Sequence, residues 1–220
     1  MKVKGLLLLT LIVAAAMVGF AFWVAAGVPP ETELPMHWNA AGEVDRTAPA
    51  LRALLFPPAV AVLVGLISSA VPFIEPMQHR LDGSAPVMRA MWLGLLVLMV
   101  FVQLTVAAPA LGWTLSPNLI VVIVGAFLVV IGNVLPKSRP GFFVGIRTPW
   151  TIIDTDIWIA TNRLGGKLMM LVGAVMMTAG FVPLPPSARV PIIVGGAIAS
   201  ALVPMVYSWW LWHRKTKSNV

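Results

Sequence analysis

Six long apolar runs constrain this chain more than any other feature of its sequence. They cover residues 5–27, 52–74, 90–112, 118–135, 167–183 and 190–212. About 20 apolar residues in a helix, each rising about 1.5 Å, cross the roughly 30 Å hydrocarbon core of a bilayer. The sequence therefore predicts an all-α polytopic membrane protein with six transmembrane helices, built as a single membrane domain over residues 1–220.

The distribution of lysine and arginine predicts how these helices are oriented. If every run crosses the membrane, three of the 15 cations lie on the side opposite the N-terminus: Arg46, Arg52 and Arg189. The other twelve share the side of the N-terminus: Lys2, Lys4, Arg80, Arg89, Lys137, Arg139, Arg147, Arg163, Lys167, Arg214, Lys215 and Lys217. Because cytoplasmic loops are enriched in these residues, both termini are expected in the cytoplasm. The net charge of +7 is thus mostly a topology signal, and direct nucleic-acid binding is not expected without a basic soluble domain.

Few polar groups lie within the apolar runs. Gln103 and Asn133 are the notable ones, and none of the eight acids falls inside a run. A lone Gln or Asn at such depth usually hydrogen-bonds between helices, and the alternative is that both line a pathway. The short links at 113–117 and 184–189 predict antiparallel neighbours for helices three and four and for helices five and six.

Two further expectations concern packing and the first inner loop. Small residues four apart, Ala15 with Gly19 and Gly195 with Ala199, would allow helices to approach closely. The segment 75–89 carries charges of both signs, which predicts a solvated linker.

The loop 28–51, predicted to lie outside, contains the sequence LPMHWNAAGEVDR. His37 and Asp45 are potential metal ligands or proton carriers, but zinc normally needs three or four ligands. Asn39 and Gly42 suit a turn, and Trp38 suits the membrane interface. We therefore expect a folded surface loop, with no metal, no cofactor and no catalytic motif.

The inner loop 132–166 reads GNVLPKSRPGFFVGIRTPWTIIDTDIWIATNRLGG. Its Pro140–Gly141 pair predicts a type II turn, and Gly145 predicts a sharp bend. Thr148 and Pro149 are typical of the N-cap and first residue of a helix. The apolar spacing that follows, together with Trp150 and Trp158, predicts an interfacial amphipathic helix ending at Gly165–Gly166.

The cations of this inner loop are candidates for contact with lipid headgroups. Lys137, Arg139, Arg147 and Arg163 would each gain about 1 kcal/mol near an anionic surface. The planar fork of Arg147 suits a phosphate, or a carboxylate such as that of Asp154 or Asp156. A plain positively charged inner loop remains the alternative interpretation.

Together, the two loop sequences resemble the SdpI family of bacterial integral membrane proteins. In the inner loop the matching residues are Gly132, Asn133, Pro136, Lys137, Arg139, Pro140, Gly145 to Thr151, Trp158, Thr161, Arg163 and Gly166. In the outer loop they are Pro35, His37, Gly42 and Asp45. Two positions depart from the family pattern: Gly141 stands where the family often has asparagine, and Asn162 where it often has histidine.

The resemblance implies an inner-membrane immunity or signalling protein that binds rather than catalyses. The family is named for immunity against a sporulation-delay toxin peptide, and its type example holds a transcriptional repressor at the membrane. The implied partners are membrane lipids, a peptide toxin or other envelope ligand, and a cytoplasmic repressor. The candidate binding residues are His37, Trp38, Asn39, Asp45, Asn133, Lys137, Arg139, Arg147, Thr148, Pro149, Trp150, Trp158, Thr161 and Arg163.

Two other function classes remain open at this point. One is a transporter or flippase for a lipid or small amphiphile, which a water-filled cavity lined by Gln103 and Asn133 would favour. The other is a membrane enzyme, which a metal bound at His37 would favour.

Overall fold

The computed structural model describes residues 3–39, 42–116, 118–182 and 184–218. Lys2, counted among the inner cations, and Pro183, placed at the end of the fifth run, lie outside these residues. The helices are α1 (Lys4–Ala26), α2 (Ala50–Ile74), α3 (Gln78–Ala107), α4 (Asn118–Val134), α5 (Pro149–Ile153), α6 (Thr155–Phe181), α7 (Pro186–Val190) and α8 (Gly196–Ser218). Two strands, β1 (Glu33–Trp38) and β2 (Val44–Pro49), lie between α1 and α2.

Six helical segments of the described chain are long and apolar enough to cross a membrane, which confirms the predicted class. They are Lys4–Ala26, Ala50–Ile74, Leu81–Leu111, Asn118–Lys137, Thr155–Phe181 and Ser187–Lys217. The hairpin of β1 and β2 lies at one end of the helices, here called the hairpin end. The segment 138–148 lies at the other end, here called the signature end.

The first three spans are joined by buried polar contacts. The Gln103 side chain on α3 donates to the carbonyl of Met17 on α1 at 2.8 Å and to that of Leu54 on α2 at 3.0 Å. The Trp92 indole on α3 donates to the Thr10 hydroxyl on α1 at 2.9 Å. The prediction that Gln103 hydrogen-bonds between helices is confirmed.

Helices α4 and α6 approach each other through glycines spaced seven residues apart. A β-carbon on Gly125 would lie 2.6 Å from the Gly173 carbonyl oxygen, and one on Gly132 would lie 2.5 Å from that of Gly166. No side chain fits at these positions without moving the helices apart. The predicted close approach at Ala15/Gly19 and Gly195/Ala199 is wrong, because a β-carbon on Gly19 or Gly195 would meet nothing within 4 Å.

The loop 28–51 contains a β-hairpin that the sequence analysis did not predict. The strands pair antiparallel, and only Leu34 and Ala48 of the two strands are buried. The apolar residues of β1 do alternate, at Leu34, Met36 and Trp38, but Pro35 interrupts the run and β2 has three consecutive polar residues at 45–47, so the pair does not show the usual pattern of two strands. The predicted turn is confirmed: the Asn39 amide donates to the Glu43 carbonyl at 2.9 Å, and Gly42 has φ +88°.

Three local predictions about the signature end are wrong. The segment 75–89 is not a solvated linker, because Glu75 is only 3% exposed and α3 begins at Gln78. The Pro140–Gly141 pair does not form a type II turn, because only Gly42, Gly112 and Gly145 among the described glycines have positive φ. Gly165–Gly166 do not end a helix, because both are buried inside α6.

Candidate functional site

A cavity of about 330 Å³ opens at the hairpin end, between β1 and the ends of α3 and α4. Three of the four residues predicted to bind a ligand in this loop line it: His37, Trp38 and Asn39. The remaining lining residues are Met36, Gly42, Val102, Asn118, Ile120, Val121, Arg189 and Ile193. The cavity therefore combines a mostly apolar wall with a few polar groups, the usual composition of a ligand-binding pocket.

Asp45, the fourth predicted residue, supports the cavity from outside its lining. Its carboxylate oxygen Oδ1 lies 2.6 Å from Nδ1 of His37. This contact crosses the hairpin and fixes the orientation of the imidazole ring. Within the described residues no three His, Asp or Glu side chains lie together as a metal site would require. The pair is therefore best described as a hydrogen bond that positions His37.

The tip of the hairpin is held by Asn39. Its side-chain amide donates to the Glu43 carboxylate at 3.0 Å, and its side-chain oxygen accepts from the Glu43 backbone N–H at 3.0 Å. These two bonds close the turn from both sides, which gives the cavity wall a defined shape.

At the signature end, Glu75 holds the segment that follows α4. Its carboxylate accepts backbone N–H groups from Phe142 at 3.0 Å, Phe143 at 3.2 Å and Met77 at 3.1 Å. The Ser84 hydroxyl accepts the Arg139 backbone N–H at 2.9 Å. The connection between α2 and α3, together with the first turns of α3, thus anchors the segment 138–148, here called the signature segment. Glu75 was not predicted from the sequence, although an acid directly after a 25-residue apolar helix is a signal of a structural role.

Gly145 allows the signature segment to pack directly on α6. Its φ is +109°, and a β-carbon there would lie 2.5 Å from the Trp158 ring. The next residue, Ile146, donates its backbone N–H to the Asn162 side-chain oxygen at 2.8 Å. Trp158 is fully buried and donates to the Ser138 carbonyl at 3.1 Å. The predicted bend at Gly145 is confirmed, but the placement of Trp158 among headgroups is wrong.

Asn162, one of the two departures from the family pattern, is hydrogen-bonded at both ends of its side-chain amide. It is 1% exposed, and its amide nitrogen donates to the Trp158 carbonyl at 3.0 Å. It therefore uses both ends of its amide, one to hold Ile146 and one to bond its own helix. Thr161, the preceding residue and a predicted binding residue, is also fully buried.

The predicted helix start at Thr148 and Pro149 is confirmed. Thr148 and Thr151 form a capping box, each side chain accepting the backbone N–H of the other residue. The Trp150 indole donates to the Ser208 hydroxyl on α8 at 2.7 Å, so its partner is a helix rather than a lipid headgroup. The helix itself ends at Ile153, and α6 starts at once because Asp154 caps it by accepting from Asp156 and Ile157.

Arg147 does not pair with the acids predicted for it. Its guanidinium donates to the Phe142 carbonyl. Asp154 and Asp156 instead contact the ammonium of Lys215 on α8, at 2.6 and 3.3 Å. Burial raises the pKa of Asp154, but the hydrogen bond from Lys215 and the backbone N–H groups outweigh it, so the pKa lies below its usual value.

The other predicted residues of this end lie on the surface. Asn133, Lys137, Arg139 and Arg163 are all exposed. Gln103 is buried among α1, α2 and α3, so it shares no cavity with Asn133.

Comparison with known proteins places this signature end in a family. Residues 137–208 match the SdpI/YfhL protein family. The similarity to the SdpI/YfhL family is thus shown for this segment of the chain. The segment runs from the end of α4 to Ser208, the acceptor of the Trp150 indole. It contains Gly145, Asn162 and the capping box, whereas the hairpin and Glu75 lie outside it.

A curated relative supports the same assignment. The Immunity protein SdpI of Bacillus subtilis (strain 168) is 31% identical over 88 residues, which are 40% of this chain and 42% of the relative. The chain thus matches less than half of that protein. No solved structure matches the chain. With six apolar helices among its described residues, the chain is a multi-pass membrane protein of the inner-membrane type.

Proposed function

We propose that this protein is an immunity protein that binds a peptide toxin in the cavity at its hairpin end. The observation that carries the proposal is the cavity itself, because three residues singled out from the sequence line one space of about 330 Å³. The name of the Bacillus subtilis relative, an immunity protein, supports the same class of function.

The cavity has the chemistry expected of a peptide site. Met36, Trp38 and Ile193 offer apolar surface, and Asn118 offers an amide that can both donate and accept hydrogen bonds. A toxin seated there would be held away from the bilayer, which is a direct route to protection. Binding alone is sufficient for this role, so no catalytic residue is assigned.

The orientation of the bundle belongs to the proposal. Twelve of 15 cations fall on the side of the N-terminus in the six-span arrangement, so the hairpin end would face outward and the signature end the cytoplasm. The exposed cations Arg139, Arg147 and Arg163 would then meet anionic lipid or a cytoplasmic regulator.

The transporter alternative has less support. A pathway lined by Gln103 and Asn133 would require both side chains in one space, whereas Gln103 is bonded to α1 and α2 and Asn133 is exposed. The enzyme alternative would require a metal bound at His37, and within the described residues no third His, Asp or Glu side chain lies with His37 and Asp45.

A protection assay tests the proposal. The chain is expressed in a bacterium sensitive to the sporulation-delay toxin peptide, and survival is measured against toxin concentration. Trp38→Ala should reduce protection at least tenfold, because it removes an aromatic wall of the cavity. Trp113→Ala is the matched control, because Trp113 is an exposed indole at the same end that does not line the cavity.

Equal survival of the wild type and an empty-vector strain would count against immunity to this toxin. Equal loss of protection in both tryptophan variants, at equal membrane expression, would count against the cavity as the binding site.

A further inference from the structure

An apolar groove lies between α3 and α4 on the outer surface of the helices. Its volume is about 440 Å³, and none of the described residues that line it has a polar side chain. Val97, Phe101 and Val130 of its walls are 52%, 44% and 48% exposed, so the groove opens outward rather than into the bundle. Both walls belong to segments that cross the membrane. Whatever enters the groove therefore comes from the bilayer.

The groove has the depth of one membrane leaflet. Along α3 its wall runs from Ala90 to Phe101, which is the half of the third apolar run nearer the signature end. At about 1.5 Å per residue this wall is about 16 Å long, about half of the roughly 30 Å hydrocarbon core. Gly94 brings the two walls together, because a β-carbon there would lie 2.5 Å from the Phe127 ring of α4. The groove therefore suits an acyl chain of the leaflet at the signature end.

Two cations lie where the groove opens toward the signature end. A short 3₁₀ turn continues α4, so Lys137 lies about two turns beyond Val130 on nearly the same face. On α3, Gly83 lies about two turns before Ala90, again on the same face. A β-carbon on Gly83 would lie 2.6 Å from Cγ of Arg139 and 3.5 Å from its Nε. The Arg139 side chain therefore lies against α3 in line with the groove.

Arg139 is held in this position by its backbone. The Ser84 hydroxyl on α3 accepts its N–H at 2.9 Å, while its side chain is exposed, like that of Lys137. Within the described residues neither cation forms an ion pair with a carboxylate. Asp82, the neighbour of Gly83 in the sequence, offsets one of the two charges, so this mouth of the groove remains net positive. The planar fork of an arginine suits the oxygens of a phosphate.

We infer that the groove binds one acyl chain of an anionic phospholipid, and that Lys137 and Arg139 bind the phosphodiester of its headgroup. An apolar wall followed by cations matches the order in which a lipid of that leaflet presents its chain and its phosphate. A second copy of the protein is a poorer occupant, because two copies related by a twofold axis normal to the membrane would bring the same cations face to face. The inference goes beyond the proposed function and does not depend on the hairpin-end cavity.

The test is native mass spectrometry of the full chain released from detergent micelles. The probes are dioleoyl-phosphatidylglycerol and dioleoyl-phosphatidylcholine, which share their chains and differ in net charge. The wild type should bind phosphatidylglycerol at least about fivefold more tightly, and Lys137→Gln and Arg139→Gln should each lower that affinity about fivefold, the effect of one cation at a lipid surface. Phosphatidylcholine binding should not change. Lys217→Gln is the matched control, because Lys217 is an exposed cation of the same end on α8, which forms no wall of the groove.

A second pair of variants tests the apolar part of the site. Val97→Trp fills the groove and should weaken the binding of both lipids, because the chain loses its place whatever the headgroup. Val206→Trp, at a valine of α8 that is 64% exposed and does not line the groove, should change neither. If Arg139→Gln does not fold, Lys137→Gln decides the role of the cations, because the exposed Lys137 side chain makes no ion pair with a described residue.

Three outcomes overturn the inference. Equal wild-type affinity for the two lipids removes the role of the cations. Phosphatidylglycerol binding that is unchanged in Val97→Trp and is displaced by inorganic phosphate identifies a surface phosphate site without the groove. A wild-type dimer that Val97→Trp dissociates, with no phosphatidylglycerol bound to the monomer, assigns the groove to a second copy.

Discussion

Replacing Gly145 with alanine tests how the signature segment is held against α6. The backbone there has φ +109°, and the new β-carbon would lie 2.5 Å from the Trp158 ring and 3.1 Å from the Asn162 side-chain oxygen. A strained backbone of this kind costs about 1–3 kcal/mol. Overpacking costs about 1–3 kcal/mol more. Alanine also reduces the conformational entropy of the unfolded chain, and this offsets only about 0.4–1 kcal/mol of the cost. We therefore expect a net destabilisation of about 3 kcal/mol, within a range of about 1–6 kcal/mol.

The measurement is unfolding by sodium dodecyl sulfate in mixed micelles, followed by tryptophan fluorescence. Gly195→Ala is the matched control, because its β-carbon would meet nothing within 4 Å and its φ is not positive. That control should be neutral or slightly stabilising, since alanine favours the helix. A Gly145→Ala protein as stable as the control would refute the packing described for this segment.

Three further predictions follow from other parts of the molecule. Gly132→Val should separate α4 from α6 and destabilise the protein by about 2 kcal/mol or more in the same unfolding assay, because the helix backbones touch there. The contact with Lys215 lowers the pKa of Asp154 in the folded protein. It therefore contributes stability above about pH 4, the ordinary pKa of aspartate, and this stability is lost as the pH falls through the lower pKa of the folded state. The protection factors of the amides at the end of α8, which are corrected for the intrinsic pH dependence of hydrogen exchange, should therefore fall on acidification, and Asp154→Asn should remove that change. Single cysteines at Glu31 and Lys137, introduced into a chain that has none, should react with an impermeant maleimide from opposite sides of the membrane.

Each of these three has an outcome that contradicts it. Gly19→Val, on an open helix face, should be close to neutral, and an equal effect at both glycines would argue against a special contact at Gly132. Unchanged protection factors in α8 between neutral and acidic pH would argue against the Asp154 contact. Labelling of Glu31→Cys and Lys137→Cys from one side would contradict the six-span arrangement.

The sequence predicted those features that depend on local chemistry. The six spans follow from the length of the apolar runs alone. The start of α5 follows from Thr148 and Pro149, whose side chain and ring favour that position in any context. Gly145 was identified as a bend because glycine tolerates positive φ. His37, Trp38 and Asn39 were singled out by their residue types, and the structure brings them into one cavity.

Features that depend on distant partners were not predictable in this way. Glu75 looked like part of a solvated loop, because its partners Phe142 and Phe143 lie more than 60 residues away. The end of α5 was placed at Gly165–Gly166 because glycine often ends helices. Packing of Gly166 against Gly132 of α4, and of Gly165 against the Ile146 side chain, makes these glycines necessary inside α6. Arg189 was counted only as an outer cation, since its place in the cavity depends on how β1 and α4 approach it.

The glycine contact between α4 and α6 has a consequence for how the protein is made. As α1, α2 and α3 enter the bilayer in order, Gln103 arrives when both of its acceptor carbonyls are already in place. The face of α4 that carries Gly125 and Gly132 enters the bilayer before α6 exists, since the residues between Val134 and Thr155 must be synthesised first. During that interval the face of α4 that will pack against α6 is in contact with lipid. Biogenesis should therefore be most dependent on the insertion apparatus at this stage, and chains truncated before Thr155 should be the preferred targets of membrane proteases.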